Sequence, residues 1–340
     1  MINVAINGFG RIGRRVFRLL QDHNNIQVVA INDLADAKTL SHLLKYDSIH
    51  GVFKCDISYD SNHIKVNSTT IALLNESNIA SINWKPFNVD FVIEATGRFK
   101  TREELQHHIT NGASCVILSV PPLDKSIKTL VLGVNNHILD NNDLIVSNAS
   151  CTTNNAAPMI DVIQNLCGIE QAYITTIHSY TTDQSLHDQP HRDLRRARAA
   201  GQSIVPTTTG AAKALTKIFP ELSNVIGGCG IRVPVVNGSL TDITFNVIKN
   251  VSVEEVNHAF KLASETKYKG ILEYTEDPIV SIDIVGNSHS CIFDSLMTSV
   301  IGNMVKIIGW YDNETGYSSR IIDLVDNLSI THIIDKIQKN

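Results

Sequence analysis

The sequence predicts two architectures in one chain: an α/β domain on a doubly wound parallel sheet, then an α+β domain of mostly antiparallel sheet and helices. Three observations predict this. Before residue 150, short apolar runs alternate with helical patterns, as in parallel sheets built from βαβ units. After residue 150, apolar runs mostly follow one another with few helices between them, as in antiparallel sheets. The 340 residues, of which 43% are hydrophobic, are enough for about two such domains.

The first half of the chain opens with a strand, a helix and a second strand. Ile12, Val16 and Leu20 share one face of the helix, so this helix crosses over the sheet to reach a parallel strand. The stretch 54–86 is more polar and alternates weakly, which predicts an antiparallel excursion. The predicted strands of this half are 2–7, 26–33, 89–96, 113–120, 129–135 and 143–148.

The second half of the chain changes pattern near residue 150. A last helical segment at 316–328 is expected to return and pack on the first domain. We therefore predict a first domain of residues 1–150, joined by a C-terminal helix at 315–340, and a second domain of residues 151–314. The predicted strands here are 171–178, 231–236, 240–249, 279–285, 290–294, 297–300 and 304–311, and the predicted helices are 154–166 and 253–266.

Composition and charge exclude several classes of protein. With 29 Lys+Arg against 34 Asp+Glu the net charge is −5, which argues against a dedicated nucleic-acid partner. The sequence contains no apolar run of about 18 residues and no signal-peptide pattern, so we expect a cytoplasmic protein with no membrane partner. Its six cysteines include no CxxC and no zinc-ligand spacing, so we expect reduced thiols and no metal.

A glycine-rich turn follows the first strand and precedes the first helix. Gly8, Gly10 and Gly13 spell GxGxxG in the context that a dinucleotide-binding Rossmann fold requires. Gly8 permits the tight turn, Gly10 lets the backbone approach a pyrophosphate, and Gly13 allows close packing of helix on strand. The N–H groups at the helix N-terminus would bind the phosphates. The first domain is therefore predicted to bind a dinucleotide.

Two further positions at strand ends support this prediction. Asp33 ends the second strand 20 residues beyond the last glycine, where a carboxylate can bind the ribose hydroxyls and repel a 2′-phosphate, favouring NAD over NADP. The alternative is that Asp33 only caps the next helix, although Asp36 suits that role better. Thr96 and Gly97 also follow a strand and lie at the sheet edge where ligands collect.

A cysteine and a histidine suggest covalent chemistry in the second domain. Cys151 follows a predicted strand and opens a helix that begins near Thr152, so the helix dipole would favour its thiolate. His178 ends a strand 27 residues later, and a protonated imidazole beside the sulfur would stabilise that thiolate and shuttle protons. From spacing alone, each residue is more often structural than functional, and the pairing of the two is a conjecture.

Long strings around these residues resemble the glyceraldehyde-3-phosphate dehydrogenase family. They occur in the family's order from residue 2 to about residue 325. The strings are INGFGRIGR over 6–14, SNASCTTN over 147–154, HSYTTDQ over 178–184, PHRDLRRARA over 190–199, PTTTGAAKA over 206–214 and WYDNETGYSSR over 310–320.

The resemblance implies NAD-dependent oxidation and phosphorylation of D-glyceraldehyde 3-phosphate to 1,3-bisphosphoglycerate, a step of glycolysis and gluconeogenesis. Cys151 would attack the aldehyde, and His178 would act as base while hydride passes to the nicotinamide. Inorganic phosphate would then attack the resulting thioester. The second domain would be the catalytic domain, and the chain would assemble as a homotetramer.

The resemblance also assigns residues to the cofactor. Asn313 would bind the nicotinamide carboxamide, Tyr317 would flank the ring, and Ser119 would lie at the nicotinamide end. Arg11 and Ile12 would line the pyrophosphate turn and the adenine side of the cleft.

Two anion sites are implied as well. Thr181, Asp183 and Arg232 would bind the phosphate of the substrate, with Asp183 orienting Arg232. The second set, for the attacking phosphate, comprises Ser150, Arg195, Thr209 and the Gly210 amide. Thr152 is a further expected phosphate-binding residue that is assigned to neither site.

Two other dehydrogenases stay open as alternatives. An erythrose-4-phosphate dehydrogenase would use water as the final acyl acceptor, but Thr181, Thr209 and Gly210 argue for a phosphate site. An NADP-preferring gluconeogenic paralogue is favoured by Gln189 and opposed by Asp33.

A third alternative belongs to another class, a binding protein with a nucleotide-binding fold. The run Arg192–Arg198 would contact RNA or a host-surface partner, against which the net charge of −5 argues. The chain also departs from the family at Asn155, where a second cysteine is common.

Overall fold

The computed structural model describes residues 1–140 and 142–338, with side chains described as far as residue 329. The strands are β1 (Ile2–Asn7), β2 (Ile26–Asn32), β3 (Tyr46–Asp47), β4 (Gly51–Val52), β5 (Ile57–Tyr59), β6 (His63–Val66), β7 (Thr69–Leu74), β8 (Phe91–Glu94), β9 (Cys115–Leu118), β10 (Lys128–Thr129), β11 (Ile145–Ser147), β12 (Ile169–Ser179), β13 (Val205–Thr207), β14 (Ile226–Val233), β15 (Ser239–Val247), β16 (Leu272–Thr275), β17 (Cys291–Asp294), β18 (Ser299–Ile301) and β19 (Met304–Tyr311). The helices are α1 (Arg11–Leu20), α2 (Ala37–Lys45), α3 (Arg102–Thr110), α4 (Cys151–Cys167), α5 (Ala211–Ile218), α6 (Val253–Glu265) and α7 (Thr315–Gln338).

The described chain divides into two compact units. The first contains Met1–Leu130, Asn136–Ala149 and the chain from Ser318 onward, and the second contains Val131–Asn135 and Ser150–Tyr317. The predicted domain boundaries stay a prediction, because packing within a unit does not test whether that unit folds alone. Residues 339 and 340 of the predicted C-terminal helix lie outside the described residues.

The first unit is built on a sheet whose described strands follow the order β10-β11-β9-β8-β1-β2-β7-β6-β5. Neighbouring strands from β10 to β7 are all parallel. Strands β8 and β9 are buried along their whole length, as their continuous apolar character predicts for a sheet covered on both faces. The order from β7 to β11 is that of a Rossmann fold, which confirms the predicted class. The carboxyl ends of β1, β2 and β8 therefore meet at one edge.

The polar stretch 54–86 contains the antiparallel excursion that its weak alternation predicts. Strands β5, β6 and β7 pair antiparallel, and β7 joins β2 in parallel. The predicted strand 129–135 is wrong beyond Thr129. The chain turns at Gly133, whose φ is +80°, and the Asn135 side chain accepts the Val131 N–H at 2.8 Å. A side-chain acceptor thus takes the place of a strand partner.

The second unit contains a sheet in which the described strands follow the order β13-β14-β12-β15-β19-β17-β16, with β18 on β19. Most pairs are antiparallel, which confirms the prediction, but β12 runs parallel to β14 and places His178 beside Arg232. The predicted strand 279–285 is wrong. These residues form a loop with turns, in which the Asp283 carboxylate accepts the Val280 N–H at 2.8 Å.

Helices α4, α5 and α6 belong to the second unit. Helix α4 begins after Ser150 and ends before Gly168, which takes a φ of +69° that glycine tolerates. Phe260 of α6 stacks on Phe293 of β17 with ring centroids 3.8 Å apart. Among the described residues, no helix is both long enough and apolar enough to cross a membrane.

Candidate active site

A cysteine occupies the first position of helix α4. The chain leaves β11 and turns through Ala149, whose φ of +55° is uncommon for a residue other than glycine. Ser150 then caps the helix by accepting the Thr153 N–H at 3.1 Å, and Cys151 is the first helical residue. The sequence places this start near Thr152, one residue late. The thiol lies at the positive end of the helix dipole, as expected.

The imidazole of His178 faces this thiol. His178 is buried near the end of β12, and its Nε2 lies 3.5 Å from the Sγ of Cys151. On the other side of the ring, Nδ1 lies 2.7 Å from the carbonyl oxygen of Ser179 and 2.6 Å from Nη1 of Arg232. The Tyr311 ring packs edge-on against the imidazole. The structure therefore brings together the two residues that the sequence analysis paired.

Burial governs the protonation of this pair. Burial raises the pKa of Cys151, against the opposing effects of the Arg232 charge and of hydrogen bonds at the helix N-terminus. Burial, followed by the Arg232 charge, lowers the pKa of His178 to about 3. Both directions favour a neutral thiol beside a neutral imidazole. Burial thus acts against the expected thiolate and protonated imidazole, whereas the Arg232 charge and the hydrogen bonds of the first turn of α4 favour the thiolate.

Arg232 is a half-buried cation on strand β14. Within the described part of the chain it has no carboxylate partner: Nη1 contacts Nδ1 of His178 and, at 3.2 Å, the carbonyl oxygen of Ser179. Its Nε is buried without a hydrogen bond. Burial lowers the pKa of Arg232, but a guanidinium stays charged at neutral pH. A charged guanidinium that no described carboxylate neutralises is suited to bind an anion.

Two residues of α4 contact strand β19. The Thr152 hydroxyl lies 2.8 Å from the Tyr311 hydroxyl, which lies 2.9 Å from that of Thr176. The Asn155 amide donates to two backbone carbonyls of β19 at 3.3 and 3.2 Å. Thr152, expected among the phosphate ligands, therefore has its hydroxyl engaged with Tyr311.

The loop after β12 carries further expected anion ligands. Asp183 does not bind Arg232, as the resemblance implied; its carboxylate accepts a hydrogen bond from Arg196 at 2.6 Å. Arg195, the arginine that the resemblance selected, is exposed. Besides burial and Arg232, the charge of Arg196 lowers the pKa of His178. Arg196 is thus the arginine of this run whose charge reaches the cysteine–histidine pair.

The remaining expected phosphate ligands lie in three places of the second unit. Ser150 caps α4, Thr181 is half-buried in the loop after β12, and Thr209 and Gly210 precede α5. The Thr209 hydroxyl accepts the Ala211 N–H at 3.2 Å. In the part of the chain that the structure describes, none of these four hydrogen-bonds to Arg232.

Two positions of the glycine turn in the first unit leave no room for a side chain. Gly8 has a φ of +94°, and a Cβ there would lie 2.7 Å from the backbone nitrogen of Thr96. A Cβ on Gly13 would lie 2.2 Å from the carbonyl oxygen of Gly8. A Cβ on Gly10 would meet no atom within 4 Å, and no side chain caps α1. The open glycine and the uncapped helix N-terminus form a cradle that fits a pyrophosphate.

Two charged residues flank this turn. The Asp33 carboxylate accepts the Phe9 N–H at 2.7 Å and the Ala35 N–H at 3.0 Å. The carboxylate is half-exposed and keeps lone pairs that can accept hydrogen bonds from ribose hydroxyls. Asp33 can therefore cap the following turn and bind the ribose at the same time. Arg11, expected at the pyrophosphate, forms a bidentate pair with Asp47 at 2.7 and 3.1 Å.

Four other expected cofactor residues lie in the first unit. Ile12 is half-buried on α1, and Gly97 takes a φ of +69° after strand β8. The backbone N–H of Ser119, which is buried, donates to the Glu94 carbonyl at 3.0 Å. Thr96 donates its N–H and its hydroxyl to the Glu94 carboxylate.

In the second unit, Asn313 presents one end of its amide. Its Oδ1 accepts hydrogen bonds from the hydroxyls of Ser179 at 2.9 Å and Ser239 at 3.0 Å. Among the described residues, no acceptor contacts its Nδ2. The amide is thus oriented to donate, as binding to a carboxamide oxygen requires. Tyr317 is buried on α7.

Sequence reasoning missed a buried carboxylate at the end of β8. Glu94 accepts from Asn7 at 2.5 Å and from His108 Nε2 at 3.1 Å on one oxygen, and from both donors of Thr96 on the other. The Trp84 indole donates to His108 Nδ1 at 3.0 Å, so this ring carries its proton on Nε2. The sequence did carry a signal, since Glu94 is a charged residue within an apolar strand. A buried carboxylate needs hydrogen-bonding partners, so its position indicates a polar network.

Two family models match the chain. The model described as the NAD binding domain of glyceraldehyde 3-phosphate dehydrogenase matches residues 2–102, and that of the C-terminal domain matches residues 150–313. The chain belongs to the glyceraldehyde-3-phosphate dehydrogenase family. The resemblance found in the sequence is thereby confirmed, and the chain is an oxidoreductase.

Named relatives support this membership. Glyceraldehyde-3-phosphate dehydrogenase 2 of Streptomyces avermitilis is 52% identical over 326 residues, which are 95% of this chain and 97% of the relative. Glyceraldehyde-3-phosphate dehydrogenase 1 of Bacillus cereus is 49% identical over 326 residues, which are also 95% of this chain and 97% of the relative. The glyceraldehyde-3-phosphate dehydrogenase of Geobacillus stearothermophilus is 50% identical over 325 residues, again with 95% and 97% covered.

NAD is the cofactor of this family member, and its residues fit that group. In the first unit, the cradle at Gly10 suits the pyrophosphate, and the half-exposed Asp33 suits the ribose hydroxyls. In the second unit, the donor end of the Asn313 amide suits the nicotinamide carboxamide.

Proposed function

We propose that this protein is a phosphorylating glyceraldehyde-3-phosphate dehydrogenase. It converts D-glyceraldehyde 3-phosphate, inorganic phosphate and NAD to 1,3-bisphosphoglycerate and NADH. One observation carries the proposal: Cys151 Sγ lies 3.5 Å from His178 Nε2, beside the guanidinium of Arg232 that has no carboxylate partner among the described residues. A nucleophile, a base and an anion receptor in one place suit a phosphorylated aldehyde.

Cys151 is the nucleophile of this proposal. Its sulfur attacks the aldehyde carbon, a C–S bond forms, and the thiol proton is transferred so that the carbonyl oxygen becomes the hydroxyl of a hemithioacetal. The backbone N–H groups of Cys151 and Thr152, in the first turn of α4, hydrogen-bond the sulfur, so we assign them to stabilise the developing oxyanion.

His178 is the base for the oxidation. Its Nε2 takes the hydroxyl proton while the C–H bond electrons leave as hydride, which converts the hemithioacetal to a thioester. NAD supplies the hydride acceptor when it is bound. Burial keeps the imidazole neutral, and the neutral ring is the form that can take a proton.

Inorganic phosphate completes the cycle. Its oxygen attacks the thioester carbon, the C–S bond breaks, and Cys151 leaves as thiolate while the acyl phosphate is released. We assign the substrate phosphate to Arg232 and Thr181, with Asp183 acting through Arg196. The attacking phosphate is assigned to Ser150, Arg195, Thr209 and the Gly210 amide, with Thr152 acting through Tyr311.

The alternatives are weaker on particular contacts. Arg196 and Arg198 bind Asp183 and Asp188 at 2.6 and 2.9 Å, so much of the basic run is already paired and less suited to RNA. Asp33 opposes the 2′-phosphate of NADP. The hydrolytic alternative, an erythrose-4-phosphate dehydrogenase, differs in its acyl acceptor, because water rather than inorganic phosphate would attack the thioester.

The first test is an NADH-formation assay with glyceraldehyde 3-phosphate and NAD, with and without inorganic phosphate. We expect fast turnover that requires phosphate and is abolished by Cys151→Ser, since serine is a far weaker nucleophile. Parallel runs use erythrose 4-phosphate and NADP, and Cys55→Ser, in the first unit, is the matched control. Equal multiple turnover without phosphate would overturn the assigned acceptor and favour the hydrolytic enzyme.

We also propose three properties of the whole chain. The first unit acts as the NAD-binding domain and the second as the catalytic domain. The chain assembles as a homotetramer, supported by Leu186 and Leu194, which are 72% and 82% exposed on one segment of the second unit. It works in the cytoplasm, supported by six cysteines that are all free thiols.

A further inference from the structure

A chain of three buried hydroxyl groups ends beside Cys151. The Thr176 hydroxyl of β12 lies 2.9 Å from that of Tyr311 on β19, which lies 2.8 Å from that of Thr152 on α4. The Thr152 side chain in turn hydrogen-bonds the Cys151 sulfur. Thr152, Thr176 and Tyr311 are all buried. A helix and two strands of the second unit are therefore joined by one line of hydrogen bonds that leads to the sulfur.

The direction of these hydrogen bonds follows from the sulfur. A sulfur that reacts as thiolate can only accept, so the Thr152 hydroxyl donates to it. Each hydroxyl has one proton, so Thr152 accepts from Tyr311, and Tyr311 accepts from Thr176. Burial raises the pKa of Tyr311, so its phenol keeps the proton that it donates.

The Tyr311 hydroxyl determines where the Thr152 hydroxyl points. Threonine in a helix divides between two rotamers, because its hydroxyl can also bond to a backbone carbonyl of the preceding turn. A donor 2.8 Å from the Thr152 oxygen stabilises the one rotamer that reaches both Tyr311 and the sulfur. Without this donor, the Thr152 hydroxyl is free to leave the sulfur.

Further contacts hold strand β19 against helix α4. The Asn155 amide, one turn beyond Cys151, donates to the carbonyls of Gly309 and Trp310 at 3.3 and 3.2 Å. Another turn along, α4 lies so close to the strand that a Cβ on Gly309 would be 2.7 Å from the Met159 sulfur. The Tyr311 hydroxyl is therefore presented to the first turn of α4 from a fixed support.

We propose that Tyr311 is a positioning residue that orients the Thr152 hydroxyl as a hydrogen-bond donor to the Cys151 sulfur. The inference rests on the proposed function, in which Cys151 is the nucleophile. A donor to the sulfur stabilises the thiolate before it attacks the aldehyde, and again when phosphate displaces it from the thioester. Tyr311 acts through Thr152 and keeps its own proton throughout.

The other groups that act on the sulfur come from different strands. His178 of β12 lies 3.5 Å from it, and the charge of Arg232 on β14 lowers the pKa of Cys151, as the hydrogen bond from the Thr152 side chain also does. Removing only the Tyr311 hydroxyl leaves His178 and Arg232 unchanged in sequence. A change in the reactivity of Cys151 would then report on the hydroxyl chain.

The test is the rate at which iodoacetamide alkylates Cys151 as a function of pH, followed on the Cys151 peptide by mass spectrometry. Tyr311→Phe removes the hydroxyl and keeps the ring. We expect alkylation about tenfold slower at neutral pH and a midpoint raised by about one pH unit, since a tenfold loss of thiolate corresponds to one pKa unit. In an active enzyme, the acidic limb of the pH profile of kcat/KM should move in the same direction.

Tyr268→Phe is the matched control. Tyr268 is also buried in the second unit, and its hydroxyl donates to Asp161 at 2.7 Å. This variant loses a buried tyrosine hydrogen bond without touching the hydroxyl chain, so its Cys151 should have the alkylation profile of the wild type. If Tyr311→Phe is folded and matches Tyr268→Phe, the hydroxyl chain serves only the fold and the proposal is overturned. Faster alkylation in Tyr311→Phe would overturn it as well.

A second pair of variants tests the far end of the chain. Thr176→Val removes the donor to Tyr311 and should slow alkylation about twofold, because a neighbouring hydrogen bond adds only a fraction to the strength of the next. Thr176→Ser keeps the hydroxyl and should match the wild type. Adding Thr176→Val to Tyr311→Phe should cause no further change, because the connection to Thr152 is already lost.

These variants keep the possible outcomes separate. If Tyr311→Phe is partly unfolded, the Thr176 pair decides: equal rates for Thr176→Val and Thr176→Ser contradict the proposal. Alkylation requires no turnover, so unchanged profiles in an active enzyme reject this inference and leave the proposed function standing. A wild type that does not oxidise glyceraldehyde 3-phosphate would reject the proposed function, while the alkylation profiles would still decide whether Tyr311 orients the donor to Cys151.

Discussion

At the scale of single residues, burial sets the chemistry of the cysteine–histidine pair. A cysteine at a helix N-terminus is usually expected to have a lowered pKa, but burial raises the pKa of Cys151 in this protein. Burial and the Arg232 charge likewise keep His178 neutral. Burial therefore acts against ionisation of both side chains, and the Arg232 charge favours the thiolate form of Cys151.

The lowered pKa of His178 predicts a specific pH dependence of stability. In the unfolded chain the imidazole binds a proton near pH 6.5, whereas in the folded chain it does so only near pH 3. Between these values the unfolded state binds more protons, so stability is present above pH 6.5 and is lost as pH falls toward 3. His178→Asn should remove up to about 1.4 kcal/mol per pH unit of this slope.

The measurement is urea unfolding of wild type and variant from pH 7 to pH 4.5. His258→Asn, at an exposed position on α6, controls for the loss of any histidine. Parallel curves for wild type and His178→Asn would mean that the folded protein accommodates a charged imidazole, and the prediction would be wrong.

At the scale of elements, the ends of three parallel strands are joined by one hydrogen-bond network. Glu94 of β8 binds Asn7 of β1, and Asn7 accepts from Asn32 of β2 at 2.7 Å. Glu94 also holds both donors of Thr96, whose backbone lies against Gly8. The shape of the dinucleotide cradle thus depends on a carboxylate buried inside the first unit.

Glu94→Gln should weaken NAD binding more than it slows turnover. Four donors surround the two carboxylate oxygens, so an amide nitrogen on either side leaves donors facing donors. We expect the Kd for NAD, measured by calorimetry, to rise about tenfold, equivalent to about 1.4 kcal/mol, with a smaller fall in kcat.

Glu103→Gln, on the exposed face of the neighbouring helix α3, is the matched control. If Glu94→Gln lowers the melting temperature but leaves the Kd for NAD unchanged, the network serves only the fold.

At the scale of the whole molecule, the segment between β12 and β13 supports the proposed assembly. It exposes two large apolar side chains, Leu186 and Leu194, although the residues around them are polar or paired. Covering exposed leucine side chains at an interface removes apolar surface from water, which favours association. The proposed homotetramer would supply that surface.

Leu194→Asp should therefore dissociate the assembly. Light scattering after size exclusion should give four times the chain mass for the wild type and a smaller mass for the variant. Leu262→Asp, half-exposed on α6, should remain a tetramer. A monomeric wild type would overturn the proposed assembly and leave the leucines without a partner.

Local sequence was a good guide wherever the structure depends on neighbouring residues. The glycine turn, the first strand Ile2–Asn7 and the start of α4 all follow from backbone sterics and capping within a few residues. The strand predicted at 129–135 failed because the Asn135 side chain takes a backbone N–H that a partner strand would have used. Apolar periodicity carries no information about such a capture.

The sequence by itself determined the fold class, the family and the identity of the residues around Cys151, because long low-degeneracy strings and hydrophobic spacing are properties of the chain. Only the tertiary structure decided which of these residues interact. It paired Asp183 with Arg196, joined Thr152 to Tyr311 across 159 residues, and placed Arg232 on His178. Desolvation and hydrogen-bond competition depend on groups that folding brings together, so protonation states and partners cannot be read from order along the chain.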